Sequence, residues 1–384
     1  MKSPARWLAL AATAMALAGC STLDKLNPFS SSTPKAKPAE LAPIQPTAEL
    51  TISWQANIGT AGDSAFVPAV VGDSVYAAAQ DGSLARFDGG RQIWRVSAGQ
   101  KLTGGVGSDG KLVVVGTGKG EVLAFEAETG ASLWKARASS EVLAAPAIGE
   151  GLVVVRSGDS VITGFDAKDG KRRWVFRRST PPLSLRSDVG VVLAEGGVVA
   201  GFPGGKLVAL NPQNGAAIWE ATVATPKGTT ELERVADVSS PPAVDSREIC
   251  AVTFQGRVAC FEIASGNLLW SRDTSSSAGL DMDRKRVYVS DDNGTINAFA
   301  RDTGASVWKQ DKLARRLPTR PVALGKHVAV ADLHGVVHLL DAETGDFAAR
   351  VNTDGSAVVA DPRRLGDGLV VQTRNGGVFG LDRR

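Results

Sequence analysis

The stretch GRVACFEIASGNLLW, residues 256–270, decides the fold, because near-copies of it return along the whole chain. It contains a turn glycine, an alternating strand (Val258 and Cys260 against Ala259 and Phe261), a polar loop ending in Gly266, and an apolar run up to Trp270. The same grammar appears at residues 82–94 (GSLARFDGGRQIW), 120–134 (GEVLAFEAETGASLW), 160–174 (SVITGFDAKDGKRRW) and 205–219 (GKLVALNPQNGAAIW). It appears again at 294–308 (GTINAFARDTGASVW) and at 335–349 (GVVHLLDAETGDFAA), where Ala349 takes the place of Trp. Self-similarity at about 40 residues, punctuated by Gly and Trp, marks a propeller or solenoid.

Working outward from 256–270, each unit reads as four antiparallel strands, which is a propeller blade. Gln255-Gly256, Asp81-Gly82, Asn293-Gly294 and Asn375-Gly376 sit between alternating strands and predict two-residue hairpin turns. Trp54, Trp94, Trp134 and Trp174 are 40 residues apart, and Trp219, Trp270 and Trp308 follow at 45, 51 and 38. The last unit, 356–382, has three strands and no Trp strand after it, whereas LTISWQA at 50–56 is a Trp strand with no blade before it. Pairing the two completes a blade from both ends of the chain. The expectation is an all-β, eight-bladed propeller over residues 50–384, its last blade closed by the N-terminal strand, which leaves no open sheet edge along the array. The Trp side chains, recurring in nearly every unit, are expected to pack between neighbouring blades.

Residues 1–19 read as a signal peptide. Lys2 and Arg6 form its charged region, residues 7–17 an apolar run too short for a permanent membrane span. Leu17-Ala18-Gly19-Cys20 is similar to the bacterial lipobox, which implies a lipidated Cys20; several acyl chains on one residue anchor more firmly than one. Residues 20–49, with Pro28, Pro34, Pro38, Pro43 and Pro46 among Ser, Thr and Lys, are expected to be a flexible tether.

Composition and motifs exclude several function classes. The formal charge is +3 and no basic tract carries interleaved aromatics, so nucleic acid is not an expected partner. There is no Gly-x-Ser-x-Gly, phosphate loop or nucleophile constellation, and no catalytic residue is assigned. His334 and His338 share i, i+4 spacing, but one falls in a turn and the other on a strand, so no metal site is expected. In a two-residue turn Phe254 would pair with Arg257, setting Cys250 opposite Phe261 and Cys260 opposite Ala251. The thiols would then face opposite sides, which disfavours a disulfide; a register one residue away would reverse that.

The pattern A-x-D/N/E-x-x-x-G-x-x-x-W, seen at 124–134 and 209–219, resembles the tryptophan-docking repeat of quinoprotein alcohol dehydrogenases. With the lipobox and the Pro-rich tether, eight such blades resemble the propeller lipoproteins of the outer-membrane β-barrel assembly (BAM) machinery. That resemblance implies a non-catalytic scaffold, without cofactor, lipid-anchored on the periplasmic face of the outer membrane. It implies docking on the POTRA region of BamA. A second role, handling unfolded outer membrane proteins by β-augmentation at outer strands, is open to such a fold but has no evidence in the sequence. It also implies site residues: in PPLSLRS (181–187) and TTELERVADVSSPP (229–242) the partner-binding positions fall on Leu183, Leu185, Arg186 and Asp237. Where such proteins often carry a second acid, this chain has Ser239. Both segments follow a Trp strand and precede the innermost strand of the next blade, so they are expected on one face, one blade apart. The alternative to an interface is that Leu183 and Leu185 are inward residues of the fourth blade's first strand while Arg186 and Asp237 form a local ion pair; an Arg186–Asp237 pair would also hold the two segments together. The alternative function is a quinone (PQQ)-dependent periplasmic dehydrogenase, although no adjacent Cys pair or calcium-binding loop of that class is evident.

Overall fold

The computed structural model describes residues 37–186, 188–194 and 196–384; the expected signal peptide and Cys20 lie outside them. The described residues form eight four-stranded antiparallel sheets. Numbered in chain order, blade 1 spans residues 69–97, blade 2 104–137, blade 3 147–176 and blade 4 191–222. Blade 5 spans 243–273, blade 6 279–310 and blade 7 322–352. Blade 8 takes three strands from 363–383 and its outer strand, Leu50–Asn57, from the other end of the chain. Trp54 pairs with Gly380, Gln55 with Phe379 and Ala56 with Val378, so the expected closure is the observed one.

Middle strands are covered on both faces by neighbouring blades, which explains their unbroken apolar runs: Leu112–Gly116 is buried at every position. Outer strands alternate, as in Ser132–Arg137, because one face turns to solvent.

At six junctions the recurrent Trp joins one blade to the next by packing and by a hydrogen bond. Trp94 Nε1 donates to Ala127 O at 3.1 Å, Trp134 to Ala167 O at 2.9 Å, and Trp174 to Pro212 O at 2.8 Å. Trp219, Trp270 and Trp308 donate likewise to Ile263 O, Arg301 O and Ala342 O. Each acceptor lies in the acidic/Gly loop of the following blade, and the indole lies against that loop's glycine. Gly170 shows why the residue is glycine: φ is +71°, and a Cβ there would stand 2.5 Å from Trp134 Cε3.

Ala349 now has a physical explanation. The loop that a Trp of blade 7 would meet is absent, because blade 8 is cut between its third and outer strands by the chain ends. Glu49 and Arg384 exchange backbone hydrogen bonds at that cut, of 3.2 and 3.0 Å. Residues 39–49 run along blade 7 instead. Thr47 N donates to Ala348 O at 2.9 Å, Arg350 Nη1 to Ala42 O at 2.7 Å and Arg316 Nη1 to Ala39 O at 3.1 Å. Leu41 and Ile44 pack on the core around Trp308 and Phe347.

Two expectations are corrected. The turns between second and third strands have three residues, not two: Ala79 N donates to Ser83 O and Thr253 N to Arg257 O across them. Gly82 supplies the positive φ (+101°) in one and Gln255 (+49°) in the other. The extra residue shifts the register of blade 5, so Cys250 stands opposite Cys260, not Phe261. They form a disulfide with a Cα–Cα distance of 4.0 Å, as expected for the closer type of antiparallel pair.

Candidate docking face

An outer strand climbs to the face where it crosses into the next blade, and the turns between second and third strands open on that same face. Two of its connections stand out by length: residues 177–190, of 14 residues, between blades 3 and 4, and 223–242, of 20 residues, between blades 4 and 5. The other connections of this kind have 5 to 11 residues. Both expected partner segments lie in these two.

The structure divides the four predicted residues into an outer and an inner set. Leu183 is 39 % exposed, and the Arg186 side chain is 77 % exposed with only a distant carboxylate, Glu141, at 3.9 Å. Leu185 is half-buried. Asp237 is buried, and its carboxylate accepts from Leu185 N at 2.6 Å and from Gly204 N at 3.0 Å. The two connections are therefore joined, but through the Leu185 backbone; Arg186 makes no ion pair with Asp237. A buried carboxylate taking two backbone N–H groups is a strong fastening. Ser239 is also buried and donates to Ser276 O at 2.5 Å, toward blade 6.

Sequence reasoning missed Leu232, which is 71 % exposed at the tip of the longer connection. It sits on a single turn held by reciprocal bonds: Glu233 N donates to Thr230 Oγ1 at 3.2 Å, while Thr229 N and Thr230 N donate to Glu233 Oε2 at 2.8 and 3.1 Å. The signal was present as Thr230-Glu231-Leu232-Glu233, a capping-box pattern. Exposed leucines and an exposed guanidinium on neighbouring connections have the composition of a protein-binding hot spot.

The central channel, of about 1000 Å³, is the other concave feature. The innermost strands bring Asp281 and Arg363 to it, and the connections just before such strands bring Asp188, Arg320 and Asp361. Several of these charges serve the ring. Arg320 donates to Leu280 O at 2.6 Å and stands 3.8 Å from Asp361, and Asp281 accepts from Ala323 N at 2.8 Å. Asp188 is exposed to the channel, yet desolvation by the surrounding walls, with the nearby charge of Asp361, holds its carboxyl above the ordinary range. Among the described residues no group of three or more His, Cys, Asp or Glu is placed to hold a metal ion.

His338 belongs to a buried network in blade 7. Arg350 Nε donates to its Nδ1 at 3.1 Å, so the ring proton is on Nε2, which faces Asp332 Oδ2 at 3.0 Å. Burial lowers the His338 pKa. Asp332 is held down at about 2: burial opposes ionisation, but hydrogen bonds from His338 and Arg316 outweigh it.

The family described as "Outer membrane protein assembly factor BamB" matches residues 80–310 and 292–384. The chain is 45 % identical over 365 residues to the outer membrane protein assembly factor BamB of Bordetella pertussis, covering 94 % of this chain and 93 % of that protein. The crystal structure of BamB from Moraxella catarrhalis matches with a TM-score of 0.81 at 29 % identity, covering 87 % of this chain and all of that one. A quinohemoprotein alcohol dehydrogenase from Comamonas testosteroni matches at TM-score 0.69 and 13 % identity, over 86 % of this chain and 76 % of its own. At that identity the likeness extends to the propeller fold alone.

Proposed function

The chain belongs to the outer membrane protein assembly factor BamB family, and from that premise we propose a non-catalytic scaffold that docks on the POTRA region of BamA and assists folding and insertion of β-barrel outer membrane proteins. In this reading residues 1–19 are removed, Cys20 is lipidated, and the segment from residue 20 links the anchor in the outer membrane to a propeller in the periplasm. One observation carries the docking surface: the two longest connections lie side by side on one face, present Leu183, Arg186 and Leu232 outward, and are fastened from within by Asp237. Relatives bearing the name of an assembly factor favour the scaffold over a dehydrogenase, as do channel charges engaged in holding the inner strands.

Capture of BamA by the wild-type protein and by Leu183→Asp and Arg186→Ala variants tests this reading. Each variant should capture less. Capture equal to wild type by both would place the interface elsewhere. A second contact, with unfolded client strands, is favoured by a specific feature: Ile93, Leu133, Ile218, Leu269 and Val307, each one residue before the Trp, are exposed on outer edge strands.

A further inference from the structure

Arg156 ends the second strand of blade 3, opposite Ile162. The equivalent ladder position, one pair in from the pair that closes the three-residue turn between second and third strands, holds Ala78, Gly116, Gly201, Val252, Ser290, Ala331 and Gln372 in the other seven blades. Seven neutral residues show that ring building needs no charge at this position, yet blade 3 buries a guanidinium there. A buried charge is costly unless it is well partnered.

Its partners point toward the docking connection. Arg156 Nη1 donates to Val189 O at 3.2 Å, near the end of the 177–190 segment, and Nη2 donates to Ser160 Oγ at 3.3 Å. The guanidinium lies over the Phe202 ring at 5.6 Å, and Arg178, from the start of the same segment, lies over that ring at 5.3 Å. A cavity of about 10 Å³, the size of one water molecule, is lined by Arg156, Ser160, Leu185 and Val189. Burial brings the Arg156 pKa down to about 10, opposed by the Asp237 charge, so it remains a cation at neutral pH. Asp237 fixes the middle of the segment at Leu185 N, and Arg156 fixes its end at Val189 O.

We propose that Arg156 is a positioning residue for docking: from inside the ring, with Asp237, it sets the backbone at Leu185 and Val189 so that Leu183 and Arg186 are presented to the partner. This rests on the docking reading above. Arg156 itself touches no partner.

The test uses the purified chain with Arg156→Met, which keeps length and removes charge and donors, and Arg156→Lys, which restores the charge. Three quantities are read: amide hydrogen exchange at 183–189, affinity for the POTRA region of BamA, and the urea midpoint of the ring. Arg156→Met should exchange the Leu185 amide at least tenfold faster and bind at least tenfold more weakly, with the urea midpoint not reduced. Arg156→Lys should return affinity to within about threefold of wild type. Unchanged exchange at Leu185, or faster exchange with wild-type affinity, overturns the proposal. A lowered urea midpoint with faster exchange throughout the ring also overturns it, by making Arg156 a structural residue. If exchange accelerates as expected but Leu183→Asp and Arg186→Ala bind like wild type, the docking premise falls instead.

Discussion

The junctions between blades and the two long connections over blade 4 use the same kind of bond for opposite ends. At six junctions an indole N–H reaches a carbonyl of the next blade, between 2.6 and 3.1 Å, and buries its ring against a glycine. The result repeats because the physical requirement repeats. Over blade 4 the bonds are individual: Asp237 to Leu185 N, Arg156 to Val189 O, Glu233 to the Thr229 and Thr230 amides. They hold Leu183 and Leu232 outward. The periodic part of the molecule thus builds the ring, and the proposed recognition falls to the aperiodic part.

The comparison breaks most readily at a junction far from blade 4. Trp94→Ala removes a buried indole and its bond to Ala127 O, and should lower stability by about 3–5 kcal/mol in urea unfolding, with affinity for BamA unchanged among folded molecules. Converting Cys250 and Cys260 together to Ala opens a cross-link between residues ten apart in sequence, expected to lower stability by about 2–3 kcal/mol in non-reducing conditions; under reductant the difference from wild type should vanish.

Acid should weaken blade 7 before it affects the docking loops. Asp332 has a folded pKa near 2, below its unfolded value, so its contribution is complete above about pH 4. About 2 kcal/mol is lost as pH falls from there toward 2. His338, lowered by burial, acts in the same direction from a higher pH: it favours the fold while neutral and costs stability as pH drops below its unfolded value of about 6.5. Urea midpoints measured from pH 7 to pH 3 should fall throughout, and Asp332→Asn should flatten the lower part of that curve. Smallest in stability are Leu183→Asp and Arg186→Ala, which should change the unfolding free energy measured in urea by less than about 0.5 kcal/mol while each weakens partner binding by about 1–2 kcal/mol.

How much the sequence revealed follows the same division. Blade count, ring closure through Trp54 and the inter-blade place of the indoles were legible because one period wrote them many times. The Cys250–Cys260 disulfide was not, since one extra turn residue reverses which side chains share a face, and Gln255-Gly256 looks alike in a two- or three-residue loop. Ala349 read as a lapse in the pattern until the chain ends were seen to occupy the loop its Trp would need. At the docking face, Leu183 and Arg186 were placed correctly on an exposed segment, whereas Asp237 turned out to hold that segment from behind. Burial of an acid between two backbone amides leaves no mark in a single sequence. Leu232 carried a local signal, its capping box, which attention to the blade repeat passed over.

The account is tested most directly by mapping where amide hydrogen exchange slows on this chain when the POTRA region of BamA is added. It predicts protection concentrated at residues 181–188 and 229–237, with the acidic/Gly loops of the opposite face, such as 127–131 and 167–171, unchanged. Protection on those opposite loops, with 181–188 and 229–237 exchanging as in the free protein, would contradict it.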